Sequence, residues 1–192
     1  MKIEGAGLAA KVGANAANAV EEPVMQFKVG TAVVHPVYGV GRIVKIEKKQ
    51  FPDIKVRRYY QIDLSNRNTI WVPVEAQADI GLRLVTTNKD LDQYRRLLKS
   101  QPVILDSNDS KRPVALANRL KEGSFQVMCE IVRDLTASDE GKRLGTTNRS
   151  LLLKARESLC QEWAVAANIS ETEATQEIDS LLQTNRQAST LE

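Results

Sequence analysis

The chain has 192 residues, of which 42% are hydrophobic and 27% are charged, a balance typical of globular proteins that fold around one or two cores. No apolar run approaches the roughly 20 residues that span a membrane, and the N-terminus shows no signal-peptide pattern. The net charge of +3 hides an asymmetry: residues 26–81 hold nine basic and five acidic side chains, residues 82–156 fifteen and nine, and residues 157–192 one and seven. This distribution fits a polyanionic partner, and it also fits ordinary solvated surface charge.

The chain contains two cysteines and one histidine, which limits the chemistry that it can perform. Cys129 and Cys160 lie in apolar helical patterns, which favours buried thiols in a reducing compartment over a redox pair. With His35 as the only histidine, the chain does not supply the four ligands of a zinc site. We therefore predict a cytoplasmic protein without metal or cofactor, and no membrane partner.

The first predicted segment, residues 1–25, is rich in alanine and glycine and holds few large apolar groups. Such a segment buries too little surface to offset the entropy of ordering it. We expect a flexible leader.

The second segment, residues 26–84, is predicted to form a small β-barrel. Its apolar runs are short and β-rich, and glycine and proline separate them. The indicated strands are residues 31–35, 42–48, 56–64 and 69–74, with turns at 36–41, 52–53 and 65–68. Short strands joined by tight turns suit an SH3-like or Tudor-like barrel.

Alternation in the second strand predicts which side chains share a face. The two sets are Ile43, Lys45 and Glu47 on one side, and Arg42, Val44, Ile46 and Lys48 on the other. One of these faces is expected to meet a core and the other to meet solvent.

After Val85 the apolar spacing changes from two residues to 3.6, so residues 85–185 are predicted to form an all-α domain, followed by a tail at 186–192. Several residues mark where helices begin and end. The predicted signals are Asn88 as an N-cap, Pro113 in the first turn of a helix, Gly123 at the end of that helix, Ser124 at the start of the next, and Ser170 with Glu173 as a capping box. Residues 150–167 are predicted to form one long helix. The fold class expected for the whole chain is α+β, with two domains.

No enzyme motif is present in the sequence. It contains no glycine-rich phosphate loop, no nucleophile elbow and no cluster of metal ligands, so no catalytic residue is predicted. His35 precedes a proline at a strand end, and we interpret it as structural.

The aromatic residues of the barrel segment raise the alternative of a cage for a methylated ammonium group. Its candidate members are Tyr38, Tyr59, Tyr60 and Trp71. Tyr59 and Tyr60 are adjacent on a strand and point to opposite faces, so at most one joins any cage. Core packing with one exposed contact is favoured over a cage.

Basic residues of the helical segment suggest contact with nucleic acid. Lys111 and Arg112 stand just before a predicted helix, and Arg119 and Lys121 follow about two turns later. Such side chains bind phosphates without reading base sequence, although many helices carry them on a solvated face. No helix-turn-helix pattern is evident, so sequence-specific reading of the major groove is not predicted.

Several short runs, taken in order, carry a family resemblance. They are 27–30 (FKVG), 33–36 (VVHP), 38–41 (YGVG), 46–47 (IE), 59–60 (YY), 72–74 (VPV), 81–83 (GLR), 130–135 (EIVRDL) and 154–156 (KAR) with Leu159. In order and spacing they resemble the CarD-like bacterial transcription regulators. The resemblance covers nearly everything except the leader and the tail.

This resemblance implies a Tudor-like domain that binds the β subunit of RNA polymerase through an exposed strand edge, in the manner of β-augmentation. It implies a helical domain that lies over promoter DNA at the upstream edge of the melted region. Such a protein stabilises the open complex by binding it better than the closed one. A similar barrel occurs in transcription-repair coupling factors, but this chain has no helicase motor.

Individual residues carry the resemblance unevenly. Lys49 matches a basic position that contacts the polymerase, and Trp71 stands where family members carry a basic contact residue, so it either anchors the interface or packs. The family places a tryptophan wedge before a basic pair. Counting back from residues 130–135 without gaps puts that position at Asp109, ahead of Lys111 and Arg112.

We therefore expect a monomeric, non-enzymatic regulator that binds the polymerase β subunit and makes weak, non-sequence-specific contact with promoter DNA. The predicted contacts are Lys49 and Trp71 for polymerase, and Lys111, Arg112 and Arg119 for DNA. Binding to the polymerase would associate it with the nucleoid. The alternative is an adaptor that binds polymerase, lacks the wedge and recruits another protein.

Overall fold

A computed structural model describes residues 27–50, 56–103, 112–141 and 144–189. The predicted leader, the predicted turn at 52–53, Asp109 and Lys111 lie outside these residues. The strands are β1 (Ala32–His35), β2 (Gly39–Lys49), β3 (Arg57–Leu64), β4 (Thr69–Pro73) and β5 (Arg83–Leu84). A 3-10 turn at Val74–Ala76 precedes the helices α1 (Gln77–Ile80), α2 (Asn88–Lys99), α3 (Arg112–Lys121), α4 (Phe125–Gly141), α5 (Thr146–Ala167) and α6 (Glu171–Ser189). The fold is α+β, as predicted.

The five strands form one antiparallel sheet in the order β4-β3-β2-β1-β5. Within the described residues the sheet is open, with β4 and β5 at its two ends. The side chain of Tyr60, on β3, is fully buried on one face of the sheet. Its hydroxyl donates to Oε1 of Gln77 at 3.0 Å and accepts the Phe27 backbone N–H at 3.1 Å. The hydroxyl thus ties the start of the described chain and helix α1 to the core of the sheet.

A β-bulge in β2 makes the strict alternation predicted for this strand wrong. Ile43 pairs with Ile62, whereas Lys45 pairs with Gln61. Because Ile62 and Gln61 are neighbours on β3, Ile43 and Lys45 lie on opposite faces. The bulge adds one residue to β2, so the pattern shifts after Val44.

The helices enclose a second core, which is built mainly from α4 and α5. Its fully buried side chains include Leu135, Leu159 and Trp163. Both cysteines are buried and free, as predicted, and burial strongly raises the pKa of the Cys129 thiol. Because the thiolate is the reactive form, burial and the raised pKa both disfavour reaction at Cys129.

Most predicted helix signals are confirmed, with shifts of a few residues. Pro113 lies in the first turn of α3, and Gly123 ends the turn after it with a φ of +70°. The N-cap of α2 is Thr87 rather than Asn88, because Thr87 Oγ1 accepts the Asp90 N–H at 3.3 Å. Helix α5 begins before the predicted residue 150, and α6 continues to residue 189. Among the described helices, none is both long enough and apolar enough to cross a membrane.

Sheet and helices meet at a joint that centres on Arg83 of β5. Its guanidinium donates to both carboxylate oxygens of Glu162 on α5, at 2.6 and 2.7 Å. Its Nε also donates to the carbonyl of Gly123 at 2.7 Å. The Thr86 N–H and hydroxyl complete the shell around Glu162, which is fully buried. The joint therefore holds a buried carboxylate whose charge is balanced and whose oxygens are hydrogen-bonded.

Candidate interaction surface

The outer face of the sheet, opposite the Tyr60 core, brings together two residues that the sequence singled out. Cross-strand pairing aligns Lys45, Gln61 and Trp71 in one row, and Glu47, Tyr59 and Pro73 in the next. Lys49 lies on this same face of β2, where it pairs with Arg57. We call this surface, defined by Lys45, Glu47, Lys49, Tyr59 and Trp71, the outer sheet face.

Lys49 and Trp71 are in direct contact on the outer sheet face. The ammonium nitrogen of Lys49 lies 3.9 Å from the centroid of the Trp71 ring, a cation–π distance. Trp71 remains 38% exposed. The result is a cation presented over a half-exposed tryptophan, and tryptophan is a residue type that is enriched at protein interfaces.

The rest of the outer sheet face supports this pair. Tyr59 lies in the adjacent cross-strand row of this face and is only 4% exposed, although it is outside the main core. Glu47 forms an ion pair with Lys45 at 2.5 Å. The hydrogen bond from Lys45 lowers the pKa of the Glu47 carboxyl, so the carboxylate stays ionised beside Lys45.

Trp71 belongs to β4, the strand at one end of the sheet order. The pairings of β4 in the described residues are all with β3. A strand in this position presents unpaired main-chain groups, and an extended segment of another chain can add to them.

The four aromatic residues considered for a cage do not converge. The Tyr60 ring lies in the sheet core, on the face opposite Tyr59. Tyr38 contacts His35, with ring centroids 4.7 Å apart, near the joint with the helices. The four residues therefore do not form one cage.

Of the residues predicted to contact DNA, only Arg119 has a described side chain. Its guanidinium forms an ion pair with Glu130 of α4 at 2.6 Å, and Gln126 donates to the other oxygen of that carboxylate at 2.9 Å. Lys111 lies outside the described residues, and Arg112 is described only as the first residue of α3. Among the described residues, no group of histidine, cysteine or carboxylate side chains is placed to hold a metal ion.

Two family models match the two halves of this architecture. The model of the CarD-like/TRCF RID domain matches residues 27–85, and the model of the CarD C-terminal domain matches residues 94–179. The chain belongs to the CarD-like family. Members of this family are transcription factors and not enzymes, and this CarD-like protein is accordingly a transcription regulator rather than a catalyst.

A curated relative agrees with that assignment. The CarD-like protein is 29% identical over 146 residues to a protein of Bacillus subtilis (strain 168) named "Putative transcription factor YdeB". The aligned region covers 76% of this chain and 95% of the relative. The similarity therefore spans both the sheet and the helices.

Sequence reasoning singled out Lys49 and Trp71 separately and did not predict their contact. The bulge in β2 decides which of its side chains share a face with Trp71, and period-two counting does not detect a bulge. The roles of Tyr59 and of the Lys45–Glu47 pair were missed for the same reason. A shift in alternation after Val44 is the only signal that could have indicated them.

Proposed function

We propose that this CarD-like protein binds the β subunit of RNA polymerase through the outer sheet face and the free edge of β4. The observation that carries the proposal is the Lys49–Trp71 pair, a cation over an exposed ring next to an edge strand. Strand addition supplies main-chain hydrogen bonds, and the pair supplies side-chain specificity. In this proposal the five-stranded sheet serves as a Tudor-like domain, and the protein acts as a monomer in the cytoplasm.

Polymerase binding is tested by pull-down with the isolated β lobe. The change Lys49→Glu replaces the cation over Trp71 with an anion, and we expect the affinity to fall by tenfold or more, or about 1.4 kcal/mol. Trp71→Ala removes the ring and is expected to have a similar effect.

The matched control is Lys48→Glu. Lys48 is exposed and adjacent in sequence, but it pairs with Arg58 on the other face of β2. The Lys48→Glu change alters the net charge by the same amount as Lys49→Glu. Because it lies on the opposite face of the strand, it should leave binding nearly intact. Equal losses for both variants would show that only overall charge matters, and absence of binding by the wild type would refute the proposal.

We further propose that the helical part contacts promoter DNA and prolongs the open complex. Support comes from Lys111 and Arg112, which immediately precede and begin α3. Backbone N–H groups and the helix dipole at such a position also favour phosphate. Double replacement by alanine should shorten the open-complex lifetime, and the difference from the wild type should shrink as salt rises, because salt weakens the phosphate contacts that the variant lacks.

A specific observation favours the adaptor as the second candidate function. Asp109 stands where the family resemblance places a tryptophan wedge, and neither tryptophan of this chain replaces it. Trp71 lies on the sheet, and Trp163 is fully buried with its Nε1 bonded to Glu177 at 3.0 Å. If saturating protein binds the β lobe and leaves the open-complex lifetime unchanged, the adaptor is correct and the regulator of melting is not.

A further inference from the structure

A cavity of about 300 Å³ lies between the sheet and the helices, on a surface that the proposed polymerase and DNA contacts do not use. The turn from β1 to β2 forms one wall, and α3, α4 and α5 form the other. Its volume is at the lower end of the range, roughly 300–1,000 Å³, that small-molecule sites occupy. Sites of this kind occur preferentially where two domains meet.

The walls of the cavity are mainly apolar, and both parts of the chain contribute to them. From the sheet come Val34, Pro36, Val37 and Val40, and from the helices come Ala117, Leu120, Met128, Leu151 and Ala155. A ligand that fills this space needs an apolar body.

Two cations stand where the cavity meets solvent. Lys121 of α3 and Lys154 of α5 both line it and both are exposed. Neither forms an ion pair with any residue that the structure describes. Two lysines that converge from different helices on one cavity favour an anionic group on the ligand.

The other polar groups of the lining do not oppose an anion. Glu162 is the one carboxylate among the described lining residues, and Arg83 neutralises it through two hydrogen bonds. The Nδ1 atom of His35 accepts the Val37 N–H at 3.1 Å, so this nitrogen already has a hydrogen-bond partner. The net charge at the cavity is therefore set by Lys121 and Lys154.

We propose that this cavity binds a small organic anion with a compact apolar body and one carboxylate, sulfonate or phosphate group. The body would lie between Pro36 of the turn and the apolar side chains of α3 and α5, and the anionic group would lie between the two lysines. Because both walls would hold the ligand, its binding would stabilise the arrangement of sheet and helices.

Two fluorescent probes with the same aromatic body test the proposal. Anilinonaphthalene sulfonate carries one anionic group, and phenylnaphthylamine is the same body without it. Titration of the full-length protein should show one bound sulfonate probe per chain and weaker binding of the neutral probe. The combined change Lys121→Glu and Lys154→Glu should weaken the sulfonate probe by roughly tenfold and leave the neutral probe nearly unchanged.

Matched variants locate the site. Ala117→Phe fills the cavity from α3 and should abolish binding of both probes. Ala115→Phe places the same ring on an exposed position of the same helix that does not line the cavity, and should have no effect. Lys89→Glu with Lys99→Glu makes the same change in net charge on α2. Far-ultraviolet circular dichroism checks that every variant is folded.

Three results would overturn the proposal. Equal binding by the Ala117→Phe and Ala115→Phe variants would place the probes elsewhere. Equal weakening of both probes by the lysine changes would remove the preference for an anion. Weakened promoter DNA binding by the Lys121 and Lys154 variant, with unchanged probe binding, would assign these lysines to a nucleic-acid surface.

Discussion

His35 organises the turn between β1 and β2 through one ring nitrogen. Its Nδ1 accepts the backbone N–H groups of Val37 at 3.1 Å and of Tyr38 at 3.4 Å. Both bonds require Nδ1 to be without a proton. Partial burial also lowers the pKa of His35 below its usual value of 6.5. The neutral imidazole is therefore the form that fits this turn.

This protonation preference predicts a pH dependence of stability. Because the pKa of His35 is lower in the folded chain, the unfolded chain binds the proton first as pH falls below about 6.5. The free energy of unfolding should decrease below that pH, and the contribution of His35 should be fully present above it. Urea denaturation at several pH values should show a shallower decrease for His35→Asn, whose amide oxygen can accept the same N–H groups without titrating. Identical pH profiles for the two proteins would contradict the assignment.

The capping box of α6 shows that local signals can be predicted from sequence. Ser170 Oγ accepts the Glu173 N–H at 3.2 Å, and the Glu173 carboxylate accepts the Ser170 N–H at 2.8 Å. These bonds join residues three apart, so the motif is complete within a few letters of sequence. The bulge at Val44 is different, because β3 must be in place before the pairing of β2 can shift.

Loss of this cap should destabilise α6 in a measurable way. Ser170→Ala removes the acceptor for the Glu173 N–H and is expected to cost about 1 kcal/mol of unfolding free energy. Thr172→Ala is the control, since Thr172 is exposed in the first turn of the same helix and is not the cap. Urea denaturation measures both, and equal stability of the two variants would show that the cap contributes nothing.

At the scale of the whole molecule, the sequence indicated two folded parts but not how they are joined. Arg83 lies 40 positions from Gly123 and 79 from Glu162, and contacts at such separations leave no periodic pattern. The buried Glu162 illustrates this, because a glutamate in a helix is expected from its sequence to be a surface residue. Only the arrival of β5 beside α5 supplies the guanidinium that makes its burial tolerable. The same joint encloses the proposed ligand cavity.

The Arg83–Glu162 pair is expected to couple the unfolding of sheet and helices. Glu162→Gln leaves the size of the side chain unchanged but removes the charge that balances Arg83. Breaking a buried pair in this way costs about 3–5 kcal/mol, and the lower value applies because the Arg83 side chain is 29% exposed. Hydrogen exchange in increasing urea would follow β3 and α5 separately. In the wild type both elements should lose protection at one urea concentration, whereas in the variant they should lose it at two different concentrations.

The control is Glu130→Gln, which breaks the more exposed pair with Arg119. It should cost under about 1 kcal/mol and preserve the single transition. A Glu162 variant that still unfolds in one step at an unchanged urea concentration would show that the joint rests on apolar contacts around Pro36 instead.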